Sequence, residues 1–259
     1  MEAEILELEA RFADADYAGW EDRLELNPVM FQKYAAPRQF WDWRQFGASL
    51  LGDVRDKSLL DLGCGMGEEA VYFAKLGARV SAIDISEVGV RITRKRAQLN
   101  NVADRVSAEV MQATPTSFAS ESFDIVHGVG ILHHVGLEDG LAETKRLLKP
   151  GGAGLFLEPM GNSRLVEGAK EFIQRRWGKR LKLREENDHE EPLKFRELMK
   201  FKETFAYYRL YPYHLVTRIR KLLFPQRVHD TLRCVDYRLL KMAPFLRHYA
   251  GAVVIHLRK

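Results

Sequence analysis

Residues 58–70, SLLDLGCGMGEEA, constrain this chain more than any other segment. A short apolar run ends on three closely spaced glycines, Gly63, Gly65 and Gly67, and a helical pattern begins directly after them. An apolar run of that length bounded by a turn suits a strand buried on both faces, as in a parallel sheet. The helix EEAVYFAKLG follows, with Gly77 near its stop. The alternation then continues: RVSAID as a strand, residues 87–100 as a helix, RVSAEVMQA and SFDIVHGVG as strands, LEDGLAETKRLLKPGG as a helix closed by Pro150 and two glycines, and AGLFLEP as a fifth strand. AYYRLYPYHL and GAVVIHLRK complete a sheet of seven. Strands alternating with helices predict an α/β fold, a doubly wound, mostly parallel sheet with helices on both faces.

Composition excludes several other classes. At 259 residues with 46% hydrophobic and 29% charged content, the chain can bury a large core without staples. The cysteines are two, Cys64 and Cys234. That is too few for a disulfide framework or a Cys-rich metal site, and it suits a reducing, cytoplasmic setting. The acidic N-terminus has no long apolar run, so it does not read as a secretory signal, and no stretch is long enough to cross a bilayer. A net charge of +4 does not by itself argue for a polyanionic partner.

Glycines between a strand and a helix let the backbone turn tightly and approach a ligand. Here Glu68 stands where a dinucleotide-binding loop wants its third glycine, and Glu69 follows. Two carboxylates at a helix start are poorly suited to a pyrophosphate, which disfavours a nicotinamide-dependent dehydrogenase. At the end of the next strand, Asp84 is placed to accept hydrogen bonds from both hydroxyls of a ribose; its alternative is a helix N-cap, which Ser86 could supply instead.

The loop DLGCGMG, Asp84, the strand-end Met111-Gln112-Ala113, the strand FDIVHGVGILHHV and the RLLKPGG segment together resemble the class I S-adenosylmethionine-dependent methyltransferases, over roughly residues 58–158. The resemblance implies a Rossmann-like core spanning residues 56–259 and S-adenosylmethionine as cofactor, leaving S-adenosylhomocysteine as product. It implies that Gly63, Cys64, Gly65 and Gly67 shape the loop around the methionine part. Asp61 would orient that loop or reach the amino group through water, or serve only as a buried carboxylate. Asp84 would hold the ribose, Ile85 would pack on the adenine, and Met111, Gln112 and Ala113 would flank it. Family members often carry an acidic residue where Gln112 stands. Gly128 would offer its carbonyl to the ammonium.

Residues 1–55 read as an N-terminal helical cap over the cofactor. Within it, residues 2–13 form an amphipathic helix with Ile5, Leu6, Leu8 and Phe12 on one side. Tyr34, Trp41 and Trp43 are candidates to contact cofactor or substrate, and Arg38 to pair with the cofactor carboxylate. Packing of these aromatics onto the core is the alternative.

Methyl transfer from a sulfonium needs alignment of the acceptor, exclusion of water and, for a hydroxyl or acidic carbon, a base. The base candidates are His134, favoured slightly over His133, and Glu158 at the end of the fifth strand. His189 lies in a polar loop. No metal-ligand spacing is present, and Gly-Val-Gly-Ile at 128–131 replaces the Asn-Pro-Pro-Tyr type motif of relatives that methylate adenine or glutamine nitrogens.

The acceptor falls to segments outside the core, including helical insertions at about 159–205 and 214–245 that read as a lid or a dimer contact. The expectation is a small-molecule acceptor of biosynthesis, methylated on O, N or C, with the protein a monomer or homodimer. The run RRWGKRLKLR at 175–184, six basic residues in ten, and the amphipathic HLVTRIRKLLF leave open a solvated face, peripheral membrane contact with a lipid-linked acceptor, or a polyanion. No RNA-binding module accompanies the charge, which disfavours nucleic acid. A non-catalytic cofactor-binding regulator is the reading from another class.

Overall fold

The computed structural model describes residues 2–19, 43–161, 192–217 and 229–259. Tyr34, Arg38, Trp41, His189 and the basic run at 175–184 lie outside the described residues.

Seven strands form one sheet: β1 Ser58–Leu62, β2 Arg79–Asp84, β3 Val106–Val110, β4 Phe123–Val129, β5 Leu148–Pro159, β6 Tyr207–Tyr213 and β7 Ala252–Arg258. Their order is β3-β2-β1-β4-β5-β7-β6. The first five strands pair in parallel, and β7 runs antiparallel to both β5 and β6. The chain therefore winds outward in both directions from β1 and β4. Their carboxyl ends flank the point where the direction reverses, the usual place for a ligand in such a sheet.

The helices cover both faces, as the alternation predicts. α1 is Glu2–Ala18, α2 Trp43–Leu50, α3 Glu68–Lys75 and α4 Glu87–Leu99; α5 is the short Leu132–Val135, α6 Leu137–Leu147, α7 Lys200–Thr204 and α8 His229–Met242. On one face Leu60, Val126, Phe156 and Ile255 pack with Leu141 and Leu147 of α6 and Phe201 of α7. On the other, Leu59, Val80 and Ile125 pack with Val71 and Phe73 of α3 and Val90 of α4. Leu155, Leu157 and Val254 continue that face against Trp43 and Leu50 of α2. Each fully buried aliphatic or aromatic side chain here stabilises the fold by about 1.5–3 kcal/mol relative to exposure.

Two expectations are corrected, and Trp43 is placed. The helix expected to be closed by Pro150 and the two glycines already ends at Leu147, and the fifth strand, expected from Ala153, begins at Leu148. Leu148 already pairs with Phe123, and the ladder resumes with Ala153 opposite Ile125, so Lys149–Gly152 bulge out of β5. Lys149 Nζ fixes this bulge by donating to Ser58 Oγ and Asp124 Oδ2, each at 3.0 Å. In α1, Leu8 and Phe12 are exposed, at 54% and 64%. The more sheltered face carries Leu6, Glu9, Ala13, Asp14 and Tyr17 instead, because the helix is docked through polar groups. Trp43 belongs to the core beneath β5 and β7, and its ring meets His214 edge-on at 5.4 Å. That is the packing role the sequence offered as the alternative to a ligand contact.

Candidate active site

The glycine loop leaves β1 and enters α3 with Gly63, Gly65 and Gly67 all at positive φ. Gly67, the N-cap, has φ 73° and ψ 24°, and a Cβ there would lie 2.5 Å from Thr93 Oγ1. Both its conformation and its space therefore demand glycine. The backbone of Gly65 is held by side chains: its N–H donates to Asp84 Oδ2 at 2.7 Å, and its carbonyl accepts from Thr93 Oγ1 at 3.1 Å. α4 presses close at Gly89, where a Cβ would meet the Gly65 carbonyl oxygen at 2.8 Å. Cys64 turns its side chain away into the core beside Thr93, and burial pushes its thiol well above the ordinary range. Its contribution to the loop is backbone, donating to the Ile83 carbonyl and accepting from Gly67 N–H.

Asp84, buried at the end of β2, uses its other oxygen to accept from Ser86 N–H at 2.9 Å. Burial raises its pKa, against the lowering effect of the two backbone donors. Each carboxylate oxygen retains acceptor capacity beyond its one backbone bond. Ser86 caps α4, accepting from Gly89 N–H at 2.9 Å, so the cap role does fall to it and not to Asp84. Ile85 is half-buried. Met111 follows β3 and donates its N–H to the Asp84 carbonyl; Ala113 is buried, and Gln112 is exposed with its amide 3.5 Å from the Pro115 carbonyl. The structure thus gathers the glycine loop, Asp84 and Met111 at one end of the sheet.

Beneath the loop lies a pair that the sequence did not disclose. Asp61 of β1 and His127 of β4 are in register, and His127 Nδ1 stands 2.8 Å from Asp61 Oδ1. Both side chains are nearly inaccessible. Asp61 Oδ2 has no hydrogen-bond partner in the structure. A buried carboxylate oxygen left without a donor is costly, and a ligand ammonium or its bridging water would satisfy it. Glu69 of α3 belongs to the same network: burial raises its pKa, opposed by Arg44 of α2, whose guanidinium is 2.8 Å away. Arg44 and Arg96 also approach Glu68, each at 3.6 Å. The two acidic residues at the start of α3 are therefore partnered by arginines. Only a register argument between two undocked strands would have signalled His127.

Gly128 is buried in β4, in register with Leu62 and Phe156. Ile131 fills the notch beside it, 2.7 Å from where a Gly63 Cβ would be and 2.6 Å from that of Gly128. After it comes the histidine pair. Glu158 is fully buried; its Oε1 accepts from Ile131 and Leu132 N–H at 2.9 and 3.0 Å, and its Oε2 is 2.7 Å from His133 Nδ1. An ionised carboxylate only accepts, so Nδ1 is the donor in this contact and the bond orients the ring. His134 stacks on His133 with ring centroids 4.2 Å apart, is a third exposed, and reaches Glu9 of α1 at 4.0 Å. The orienting carboxylate thus belongs to His133, the less favoured histidine in the sequence. Glu158 itself accepts three hydrogen bonds in the interior, two at Oε1 and one at Oε2.

α1 lies over this end of the sheet. Asp14 Oδ1 accepts from Ser86 Oγ and, at 3.0 Å, from Val88 N–H, while the Tyr17 hydroxyl is 3.1 Å from the position of a Gly65 Cβ. No helix among the described residues is long and apolar enough to cross a membrane.

Comparison with known proteins agrees with this geometry. Residues 59–152 match the family model described as "Methyltransferase domain". Methyltransferase GfsG of Streptomyces halstedii is 28% identical over 56% of this chain and 51% of its own length. The ubiquinone/menaquinone biosynthesis C-methyltransferase UbiE of Paracoccus denitrificans is 34% identical over 45% of this chain and 48% of its own length. The chain therefore spans about half the length of these curated relatives. Among solved structures, phosphoethanolamine N-methyltransferase 2 of Haemonchus contortus, in complex with phosphomonomethylethanolamine and S-adenosylhomocysteine, superposes with a TM-score of 0.58 at 20% identity, covering 84% of this chain and 52% of that one. Residues 59–152, from β1 into β5, are thus similar to a methyltransferase domain, and they form the parallel part of a Rossmann-like sheet.

Proposed function

We propose that this protein transfers a methyl group from S-adenosylmethionine to a small-molecule acceptor. The observation that carries this reading is Asp84, which anchors the glycine loop through Gly65 while keeping acceptor capacity at the carboxyl end of β2. The Asp61 oxygen without a donor, under the same loop, fits an amino-acid ammonium. The family match and the methyltransferases among the relatives support it from outside the structure.

In this reading Asp84 binds the ribose hydroxyls, Met111 and Ile85 bracket the adenine, and Asp61 faces the ammonium. Residues 63–67 and Gly128 line the methionine part, and α1 covers the site against water. Bound S-adenosylmethionine supplies a methyl group on a positively charged sulfur. His133, oriented by Glu158, takes the acceptor's proton at Nε2 where one must leave. His134 lines the site beside it.

Thermal unfolding with S-adenosylmethionine, S-adenosylhomocysteine and NAD tests the assignment. A true ligand at about 100 times its Kd adds roughly 2.7 kcal/mol, a rise on the order of 5–10 °C for this size. A shift with NAD alone, or none with the sulfur compounds, would sink it.

A further inference from the structure

We infer that the second half of α8 and the 3₁₀ turn after it form a docking surface for an anionic lipid bilayer; the inference does not depend on the methyl-transfer reading above. Met242 closes α8 and is 82% exposed, and Phe245, in the turn Pro244–Tyr249, is 67% exposed. They are the most exposed large apolar side chains among the described residues. Val235, also exposed, precedes Met242 by about two helical turns and shares its face, with Arg238 between them. Arg238 and Lys241 are exposed, and neither has an ion-pair partner among the described residues. From Thr231 to Tyr249 the sole acidic residue is Asp236, against Arg233, Arg238, Lys241 and Arg247. Asp236 is buried, and its carboxylate accepts from the N–H groups of Leu215, Val216 and Thr217. The face therefore shows solvent apolar tips among positive charge.

The Asp236 bonds also fix where this face sits. Leu215–Thr217 follow the end of β6, and the turn Pro244–Tyr249 leads through Ala250 and Gly251 into the start of β7. Ala252, the first residue of β7, pairs with Pro159 at the end of β5 and with Tyr213 at the end of β6. β5 is parallel to β4, and β4 to β1, so α8 hangs at the carboxyl end of the parallel strands. That is the end which carries the glycine loop and Glu158. A bilayer held by α8 adjoins it.

The chemistry of the face selects its partner. Protruding Met and Phe tips enter the boundary between headgroups and acyl chains without needing a matched pocket. Arg and Lys stems lie along apolar surface while their charged heads reach lipid phosphates. A second copy of the chain fits poorly, because a two-fold contact through this face would bring the same positive charges together. The helix lies on the bilayer and does not cross it: α8 has 14 residues, and a span needs about 20.

Sedimentation of the full chain with phosphatidylcholine vesicles, with and without phosphatidylglycerol, tests the inference. Binding to the anionic vesicles is expected to be about tenfold tighter, from two basic side chains at the surface, and to weaken as NaCl is raised. Arg238→Gln with Lys241→Gln should bring the two vesicle types level. Met242→Ser with Phe245→Ser should weaken binding to both by about tenfold. All four side chains are exposed, so the urea midpoints of both variants should match the parent's. Leu8→Ser with Phe12→Ser removes an exposed apolar pair from the acidic α1 and should leave vesicle binding unchanged. A parent that binds neither vesicle type, or both equally, would overturn the inference. So would an anionic preference that survives Arg238→Gln with Lys241→Gln, a Met242→Ser, Phe245→Ser chain that binds like the parent, or an equal loss in the α1 variant, which would mean unspecific adsorption. A parent that is dimeric in light scattering and becomes monomeric with Met242→Ser and Phe245→Ser would assign the face to a second copy and overturn it too.

Discussion

His127 Nδ1 and Asp61 Oδ1 meet at 2.8 Å in the floor of the glycine loop, and this bond leaves Asp61 Oδ2 as the unpartnered atom. It fixes the direction in which the carboxylate faces. His127→Phe should free Asp61 to rotate and should weaken S-adenosylhomocysteine binding about tenfold. Methylthioadenosine, which lacks the amino-acid part, should bind as before. Calorimetry with both ligands checks this; equal loss for both would mean a general collapse of the loop.

Asp84 ties the same loop to the ribose position. Asp84→Ala removes the acceptor for Gly65 and Ser86 N–H as well as the proposed ribose contact, so it should cost roughly 1–3 kcal/mol in cofactor affinity, the scale for hydrogen bonds to a charged group. The pH dependence has a defined sign. Burial raises the folded-state pKa of Asp84 above its ordinary value of 3.8. As pH rises from the unfolded value through the folded one, the native state holds more protons than the unfolded state, so this group's contribution to stability falls. Cofactor affinity should move the other way, strengthening as Asp84 ionises, with a midpoint above 3.8 that disappears in Asp84→Asn. Titration of S-adenosylhomocysteine binding between pH 4 and 7, as a roughly chosen window, reads this directly.

The proton-transfer assignment separates the two adjacent histidines. His133→Asn should lower kcat by about 10²–10⁴ for an acceptor that must lose a proton, with cofactor affinity unchanged. Glu158→Gln should lower kcat and also destabilise the fold, since Ile131 and Leu132 N–H share that carboxylate. His134→Ala should retain most of the turnover. If His134→Ala were the inactive variant, the Glu158 contact would not mark the base.

Gly89 is a stringent test of the loop's packing. Its added Cβ in Gly89→Ala meets the Gly65 carbonyl at 2.8 Å, so the loop must move. A loss of cofactor affinity larger than the loss of stability is expected, measured by pairing calorimetry with urea unfolding. Unchanged affinity would show that the loop position does not govern binding.

Asp124 should govern acid resistance away from the site. Although burial pushes its pKa up, hydrogen bonds from Ser58 and Lys149 hold it down at about 2. Its stabilising contribution is therefore complete above the unfolded value of 3.8 and is lost as pH falls through about 2. Urea unfolding of Asp124→Asn should show a shallower decline than the parent across that window.

The sequence by itself determined the strand–glycine–helix unit, the parallel core and the position of Asp84, because these depend on local period and turn chemistry: buried strands read as apolar runs, and a left-handed N-cap such as Gly67 requires glycine. Pro150 and two glycines read as a helix stop, whereas in β5 a bulge pinned by Lys149 absorbs them. Only the tertiary structure decided which residues meet across strands. His127 reaches Asp61 through β1–β4 register, Glu158 reaches His133 across a chain separation of 25 residues, and Val253 lies beside Glu158 through an antiparallel strand at the other end of the chain. It also decided the direction of α1, whose inward face follows the Asp14 bonds to Ser86 and Val88 and not its apolar residues. These contacts are pairings of distant segments, and no local pattern encodes the register that makes them.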